Sequence, residues 1–317
     1  MLTSNSHSYS YAIDSFMCAY LETYHEAEWL CSYLESQMGN ADARGAAIAT
    51  VKSFGYSVGK VDVNLSTDRW VIGPDGRTLV PPLLSVKGVG QSAVDEIVAK
   101  RPYRTVQDLL WDADGKWRHS KFNKKAMENL IRVGAFGSMG IVGPAPEGAR
   151  PCDVRFANWH HMHAVLIDNQ ELLRKRYGPD LLPRLALELT VEEWTNAERA
   201  AFHRELIGDL NVDFVLDPGV QARLAARDVL SVDDMREGSK AIAWFVVTDQ
   251  KHLVTKKNGR PYLMLVAVGS SGTAHRINVW GAGAHVELEP NAAYIAELER
   301  NEWGLSTRIN AVRKVGD

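Results

Sequence analysis

Val86-Lys87-Gly88-Val89-Gly90 runs without a break into Ala93, Val94, Ile97 and Val98, which fall at the three- and four-residue spacing of one helix face. A glycine-x-glycine turn set directly at a helix start leaves few options for the local fold. The glycines permit a backbone path that side chains would block. The first helical turn has unpaired N–H groups and a partial positive charge. Such a corner accepts an anion, a phosphate above all, and Lys87 and Gln91 stand beside it to add contacts. Every nucleotide offers the same phosphate, so this helix-hairpin-helix grip holds a backbone without reading sequence. Glycine-x-glycine alone occurs in many turns, and a second element strengthens it. Phe122-Asn123-Lys124-Lys125 opens a helix with Ala126, Leu130 and Ile131 on its apolar face, and Arg132-Val133-Gly134-Ala135-Phe136 closes it in a glycine turn. The candidate backbone-binding residues are therefore Lys87, Gly88, Val89, Gly90, Gln91, Lys124, Lys125, Arg132 and Gly134.

Charge supports a confined polyanion site. Val86 to Val133 holds six Lys and four Arg against four Asp and two Glu, a net of +4, while the whole chain carries −3. A length of 317 residues suggests two or three domains. No apolar run reaches the ~18 residues of a membrane span. Met-Leu-Thr-Ser-Asn-Ser-His-Ser lacks the basic and apolar blocks of a signal peptide, so a cytoplasmic location is expected. Cys18, Cys31 and Cys152 have no metal-like spacing and read as small buried filler.

Periodicity predicts one helix over Ser8 to Met38, stopped by Gly39-Asn40, and a second over Asp42 to Phe54. Val61 to Leu65, Trp70 to Ile72 and Leu79 to Leu84 read as short strands. Gly140 to Arg150 reads as a linker, Val154 to Tyr177 and Val191 to Ile207 as helices, and Asp217-Pro218-Gly219 as a turn. From Ala241 onward the texture is that of strands: Ala241 to Thr248, Tyr262 to Val268 and Arg276 to Trp280, with an Asn258-Gly259 hairpin signal between the first two. A helix over Pro290 to Arg300 and a last strand over Ser306 to Val315 complete a pattern that fits a five-stranded Greek-key barrel of the oligonucleotide-binding (OB) type.

At this point the chain resembles the bacterial DNA polymerase III alpha subunit, a C-family polymerase. Ser85 to Gly90 with Ala93-Val94 and Ile97-Val98 looks like that family's first hairpin, and Asn123 to Ala126 through Leu130 to Phe136 like its second. Ser6-His7-Ser8, Tyr11-Ala12, Ala19-Tyr20-Leu21 and Ala27-Glu28 are similar to the end of its fingers domain, and Asp62-Val63-Asn64 to a short motif before the hairpins. Ala197-Glu198-Arg199 with Leu206-Ile207-Gly208 resembles the helix leading into its OB domain, and Val254 to Pro261 the first turn of that domain. The resemblance implies a multidomain α + β chain: a fingers fragment over 1–84, tandem helix-hairpin-helix over 85–140, a linker and helical connector over 141–238 and an OB barrel over 239–317. It implies a DNA-binding portion of a replicative polymerase, gripping primer-template. The family's catalytic aspartates lie ahead of the fingers. The expectation is thus no catalytic residue and no metal here, with Mg²⁺ held in the complete polymerase by an N-terminal fragment carrying palm and thumb. Tyr11, Phe16, Tyr20, Trp29 and Tyr33 offer more apolar surface than the next helix can bury, which fits such a partner. The competing reading is a free-standing accessory DNA-binding protein built from the same modules.

Other residues have plainer readings beside the chemical ones. His7 keeps the fingers match, but Asn5 stands where that motif usually has Lys, so His7 is a nucleotide-proximal candidate only. Asp112-Ala113-Asp114 reads as a turn, His160, His161 and His163 as a structural group rather than a zinc site, and Gln107 to Trp111 as core rather than a sliding-clamp peptide. Lys256, Lys257 and Arg260 at the first barrel hairpin form either a solvated tip or a single-strand DNA site. Trp244, Phe245, Tyr262 and Trp280 are the available stacking rings, of which at least two must fill the barrel.

Overall fold

A computed structural model describes residues 3–38, 41–144, 153–208, 212, 215–216, 218–256, 258–270, 272, 274–283 and 286–315. The chain divides into two compact units, Met1–Thr190 and Val191–Asp317. The expected connector over 141–238 is thus shared between them. Gly39-Asn40, Cys152, Asp217, Lys257 and most of the expected linker lie outside the described residues. No helix among the described residues is long and apolar enough to cross a membrane.

The first unit opens with α1 (Thr3–Tyr24), α2 (Glu26–Ser36) and α3 (Ala41–Ser53). The single helix expected over Ser8 to Met38 is broken at His25, whose φ of −137° is not helical. Leu30, Leu34, Ala47 and Val51 are fully buried and join α2 to α3, with Trp29 and Tyr33 stacked on each other and packed against the same cluster. The surface those two rings were expected to offer is therefore covered in part within the unit. Along α1 the opposite holds: Tyr9, Ile13, Phe16 and Tyr20 are exposed. Cys31 is buried, which lifts its thiol to about 11, but Cys18 is exposed on α1, against expectation.

A three-stranded sheet follows, in the order β1 (Ser57–Val58), β3 (Thr78–Val80), β2 (Val71–Ile72). Val61 to Leu65 is a turn, not the strand expected, because the Asp62 carboxylate and the Ser66 hydroxyl take its backbone N–H groups. Helices α4 (Gln91–Lys100), α5 (Val106–Leu110) and α6 (Lys124–Arg132) form the helix-hairpin-helix body. Beyond it the expected helix over Val154 to Tyr177 is α7 (Trp159–His163), a π-helical turn and α8 (Gln170–Leu173), followed by α9 (Gly178–Glu188). Trp111 Nε1 donates to the Leu173 carbonyl at 3.3 Å, so these helices belong to the same body.

The second unit contains α10 (Asn196–Leu206), α11 (Pro218–Ala225) and strands β4 (Leu230–Ser231), β5 (Lys240–Val254), β6 (Pro261–Val268), β7 (Ala274–Trp280), β8 (Ala293–Asn301), β9 (Gly304–Arg308) and β10 (Arg313–Lys314). Pro218-Gly219 starts α11 where a turn was expected, since Pro suits a first helical turn. Thr195 caps α10 in a full capping box with Glu198. The pairing runs β8–β9–β7–β6–β5 and returns to β8, with β7 and β9 parallel and the other neighbours antiparallel. A five-stranded barrel closed in this order is the OB fold. The helix expected over Pro290 to Arg300 is strand β8, and it has to be, because β5 and β9 both bond to it. Ala243, Phe245 and Val247 point into the barrel, while Trp244 and Val246 pack outward in a cluster with Ala200 and Leu224 of α10 and α11. From Ala243 to Val247 both faces of β5 are thus buried. Replacing the fully buried Leu298 of β8 with Ala should cost the barrel unit ~2–5 kcal/mol. Urea denaturation followed on that unit's tryptophan signal would show it, with the helical unit unaffected.

Candidate nucleic-acid interface

The Val86–Gly90 turn is shaped by its alternation of apolar and small residues. Val86 and Val89 are buried, and the Val89 N–H donates to the Val86 carbonyl at 3.0 Å. Lys87, Gly88 and Gly90 are thereby left at the surface. Gly88 has φ +85°, where a side chain would be strained. Gly90 starts α4, and its carbonyl receives the N–H groups of Ala93 and Val94. The N–H groups of Gly90, Gln91 and Ser92 have no acceptor among the described residues, as the start of a helix requires.

Helix α6 completes this surface. Asn129, almost fully buried, donates its Nδ2 to the Lys87 carbonyl at 2.6 Å. A Cβ on Gly88 would lie 2.9 Å from that nitrogen and 3.9 Å from Cγ of Lys125. The structure thus brings Lys125 to the first turn, with Lys124 exposed one residue before it. Lys125 lies 3.4 Å from Glu128, and Gln91 donates to Asp95 at 2.8 Å. The second glycine turn is different in kind. The Gly134 and Ala135 N–H groups cap the end of α6, donating to Ile131 and Leu130. Gly134 presents a helix C-terminus, the Trp159 ring lies 3.6 Å from where its Cβ would be, and Arg132 is paired with Glu128 at 2.7 Å.

What sets α6 against the first turn is Glu96 in α4. Its carboxylate accepts the consecutive N–H groups of Ser120, Lys121 and Phe122 at 2.9, 2.8 and 2.6 Å, and the Lys100 ammonium at 2.7 Å. Burial alone would raise its pKa, but those donors outweigh it and hold the carboxyl well below the usual range. Beside it His119 is buried, with Nε2–H donating to the Leu109 carbonyl at 2.7 Å, and burial pulls its pKa down to about 4. A second polar clamp uses Asp62 and Asn64. Asp62 accepts from the Asn64 and Ser138 N–H groups, while Asn64 exchanges bonds with the backbone of Tyr103. Sequence reading picked out Asp62-Val63-Asn64 as a motif but missed Glu96, Asn129 and His119. Their one signal was a polar residue set within or beside an apolar run.

His7 lies in α1 with its side chain outside the described residues. Asp112 folds back on its own turn, accepting from the Asp114 and Lys116 N–H groups. Leu109 and Leu110 are fully buried. No three His, Cys, Asp or Glu side chains among the described residues are grouped to hold a metal ion. In the barrel, Lys256 and Arg260 are exposed at the β5–β6 turn, which Asn258-Gly259 forms as expected. Trp244 and Phe245 are buried, as at least two of the four rings had to be. Tyr262 and Trp280 lie side by side across β6 and β7 with ring centres 4.9 Å apart, and Arg260, Pro261, Trp280 and Gly281 to Gly283 line an open recess of about 500 Å³.

A model described as the helix-hairpin-helix motif matches residues 55–142. The DNA polymerase III alpha subunit of Vibrio cholerae is 26% identical over 214 residues, 65% of this chain and 17% of that protein. That of Campylobacter jejuni is 24% identical over 268 residues, 81% of this chain and 22% of that one. That of Chlamydia trachomatis is 33% identical over 137 residues, 42% and 11% respectively. The chain therefore spans less than a quarter of the length of these relatives. The second OB-fold domain of replication protein A from Methanococcus maripaludis overlays on 28% of this chain and 95% of its own, at 12% identity and a TM-score of 0.21.

The two depressed pKa values make the hairpin body acid-labile in a definite window. His119 is held neutral, so its contribution is present above the unfolded value of about 6.5 and is lost as pH falls toward about 4. Glu96 contributes above the ordinary carboxylate range and loses that contribution as pH falls through and below it. Urea unfolding at pH 7 should show Glu96→Gln destabilised by about 3 kcal/mol, with a flatter loss of stability below pH ~4.5 than the parent.

Proposed function

Since the chain is related to one stretch of the DNA polymerase III alpha subunits, we propose that it is a DNA-binding portion of a replicative polymerase, gripping primer-template by its phosphate backbone. The observation that carries this reading is the Lys87–Gly90 turn, exposed at Lys87, Gly88 and Gly90, with its open α4 N-terminus and the Lys125 side chain brought beside it by Asn129. The turn and α4 N–H groups take one phosphate, and Lys87, Lys124 and Lys125 hold its neighbours along the strand. Arg132 and Gly134, at the other end of α6, support the body rather than the contact. The Lys256–Arg260 hairpin with Tyr262 and Trp280 is suited to a single template strand. Nucleotide transfer, and the Mg²⁺ it uses, belongs in this reading to a palm domain outside these residues. The grip then raises processivity rather than the rate of each step.

The same reading gives α1 a role. Tyr9, Tyr11, Phe16 and Tyr24 are each about 70% exposed, and each large side chain left in water forfeits ~1.5–3 kcal/mol of burial. A polymerase front portion carrying palm, thumb and the rest of the fingers would cover them. A sliding clamp is a further partner this reading allows, though fully buried Leu109 and Leu110 take no part in it as they stand.

Backbone contact without base contact has a definite signature. The protein should bind duplexes of unrelated sequence equally, with log affinity falling against log salt by about 0.9 per phosphate neutralised. Lys87→Glu with Lys125→Glu should weaken all duplexes alike and reduce that slope by about 2 in fluorescence anisotropy titrations. An unchanged slope would refute the phosphate role of the turn. Co-expression with a polymerase front portion should give a stable complex that extends primers, and Phe16→Asp with Tyr20→Asp should dissolve it without touching duplex affinity. A chain that binds DNA but ignores every such portion would instead be a free-standing accessory protein.

A further inference from the structure

At the other end of α4 from the glycine turn lies a cluster that the reading above does not use. Arg118 donates to the Lys100 carbonyl at the last residue of α4, which places the neighbouring Trp117 there. By helix rise that is about 15 Å from Gly90. Arg174, Lys175 and Arg176, which follow α8, are all exposed. The Arg174 guanidinium lies over the Trp117 ring at 5.4 Å, and the Lys175 ammonium is 6.0 Å from the Tyr177 ring centre. The segment is anchored by the Trp111 bond to the Leu173 carbonyl and by the Gly178 N–H bond to the Lys175 carbonyl at 2.8 Å. None of the three cations is paired with a carboxylate among the described residues. Of the two acidic residues of the adjoining hairpin, Asp112 is committed to its own turn, and among the described residues neither it nor Asp114 forms an ion pair with these cations.

Three unpaired cations on a fixed loop suit a run of phosphates, and rings beside them suit bases. Tyr177 is 49% exposed and offers a face. A duplex hides its base faces in the stack, so only an unpaired strand can use such a ring. From these features we infer that Trp117, Arg174, Lys175, Arg176 and Tyr177 form a second DNA site, specific for single strand. It would receive the template overhang roughly four nucleotides beyond the duplex phosphate held at Gly88–Gly90. This rests on the DNA-binding reading above and deepens it.

The test compares a blunt duplex with a primer-template of equal duplex length bearing a thymine overhang. The full chain is used, with affinity and salt slope measured by fluorescence anisotropy. Arg174→Glu, Lys175→Glu and Arg176→Glu combined should weaken the overhang substrate about tenfold or more and leave the blunt duplex unchanged. The overhang slope should fall by about 0.7 for each single-strand phosphate lost. Tyr177→Ala should also weaken the overhang substrate while Tyr177→Phe keeps it, and this pair carries the test if the triple variant is unstable in thermal melting. Ultraviolet cross-linking of the overhang should label the peptide containing Tyr177. Undiminished overhang binding in both variants, or an equal loss on the blunt duplex, overturns the inference. If Lys87→Glu weakens the blunt duplex while the overhang is indifferent to Arg174–Tyr177, this site alone falls. If the parent binds neither DNA, the reading it rests on falls as well.

Discussion

One carboxylate orders the helix-hairpin-helix body. Glu96 collects three successive backbone N–H groups ahead of α6 and a lysine from its own helix. A charge with so little water around it is unfavourable unless every lone pair is engaged, and here the donors are fixed in place by backbone. The result is directional. Apolar contacts between α4 and α6 would tolerate some sliding, but three consecutive N–H groups converging on two oxygens do not. The position of α6 in turn determines where Asn129 meets the Lys87 carbonyl, and so the shape of the glycine turn. Surface chemistry at Gly88 therefore depends on a residue eight positions away that never reaches the surface contact itself.

The barrel unit is held differently, by closure rather than by a polar anchor. β5 pairs with β6 along one edge and β8 along the other, and from Ala243 to Val247 it is covered by side chains on both faces. Its hydrophobic run is continuous for that reason, whereas β8 alternates between Tyr294, Ala296 and Leu298 inside and its other residues outside. One unit is specified by a few buried polar groups and the other by a hydrogen-bonded ring.

How much of this could be read from residues alone follows the same division. The glycine turns, α4, α6 and the strands β5 to β7 were legible because each is a local pattern: glycine against helical spacing, or β-branched residues against a hairpin signal. The segment Pro290 to Arg300 was misread because Ala, Glu, Leu and Arg favour a helix in isolation. Its partners β5 and β9 override that preference, and the only local hint was the two-residue spacing of Tyr294, Ala296 and Leu298. α9 is hidden from its sequence by Pro183 inside it, and Val61 to Leu65 has the residues of a strand but not its pairing, because Asp62 diverts its backbone bonds. At the candidate interface the exposed residues were found and the buried polar ones were not. A glycine turn has a composition, but a carboxylate's partners become visible only when distant segments meet. That Gly134 caps α6 and faces Trp159 is likewise visible only once distant segments meet.

The parallel pairing of β7 with β9 bears on the order in which the barrel can assemble. β5, β6 and β7 are joined by short turns and can meet early, as a meander whose contacts are close in sequence. That meander leaves two open edges, one on β5 and one on β7, and neither can be shielded by its own neighbours. Both are capped only by β8 and β9, across the long segment that separates them from β7. β5 meets β8 only after most of the barrel sequence has intervened, and such non-local strand pairing is slow compared with forming a helix, so the half-built barrel exposes strand edges for longer than the helical unit exposes anything comparable. During refolding at high concentration, intermolecular strand exchange would begin at those two edges, and the residues governing the yield of native protein would be those that hasten the arrival of β8.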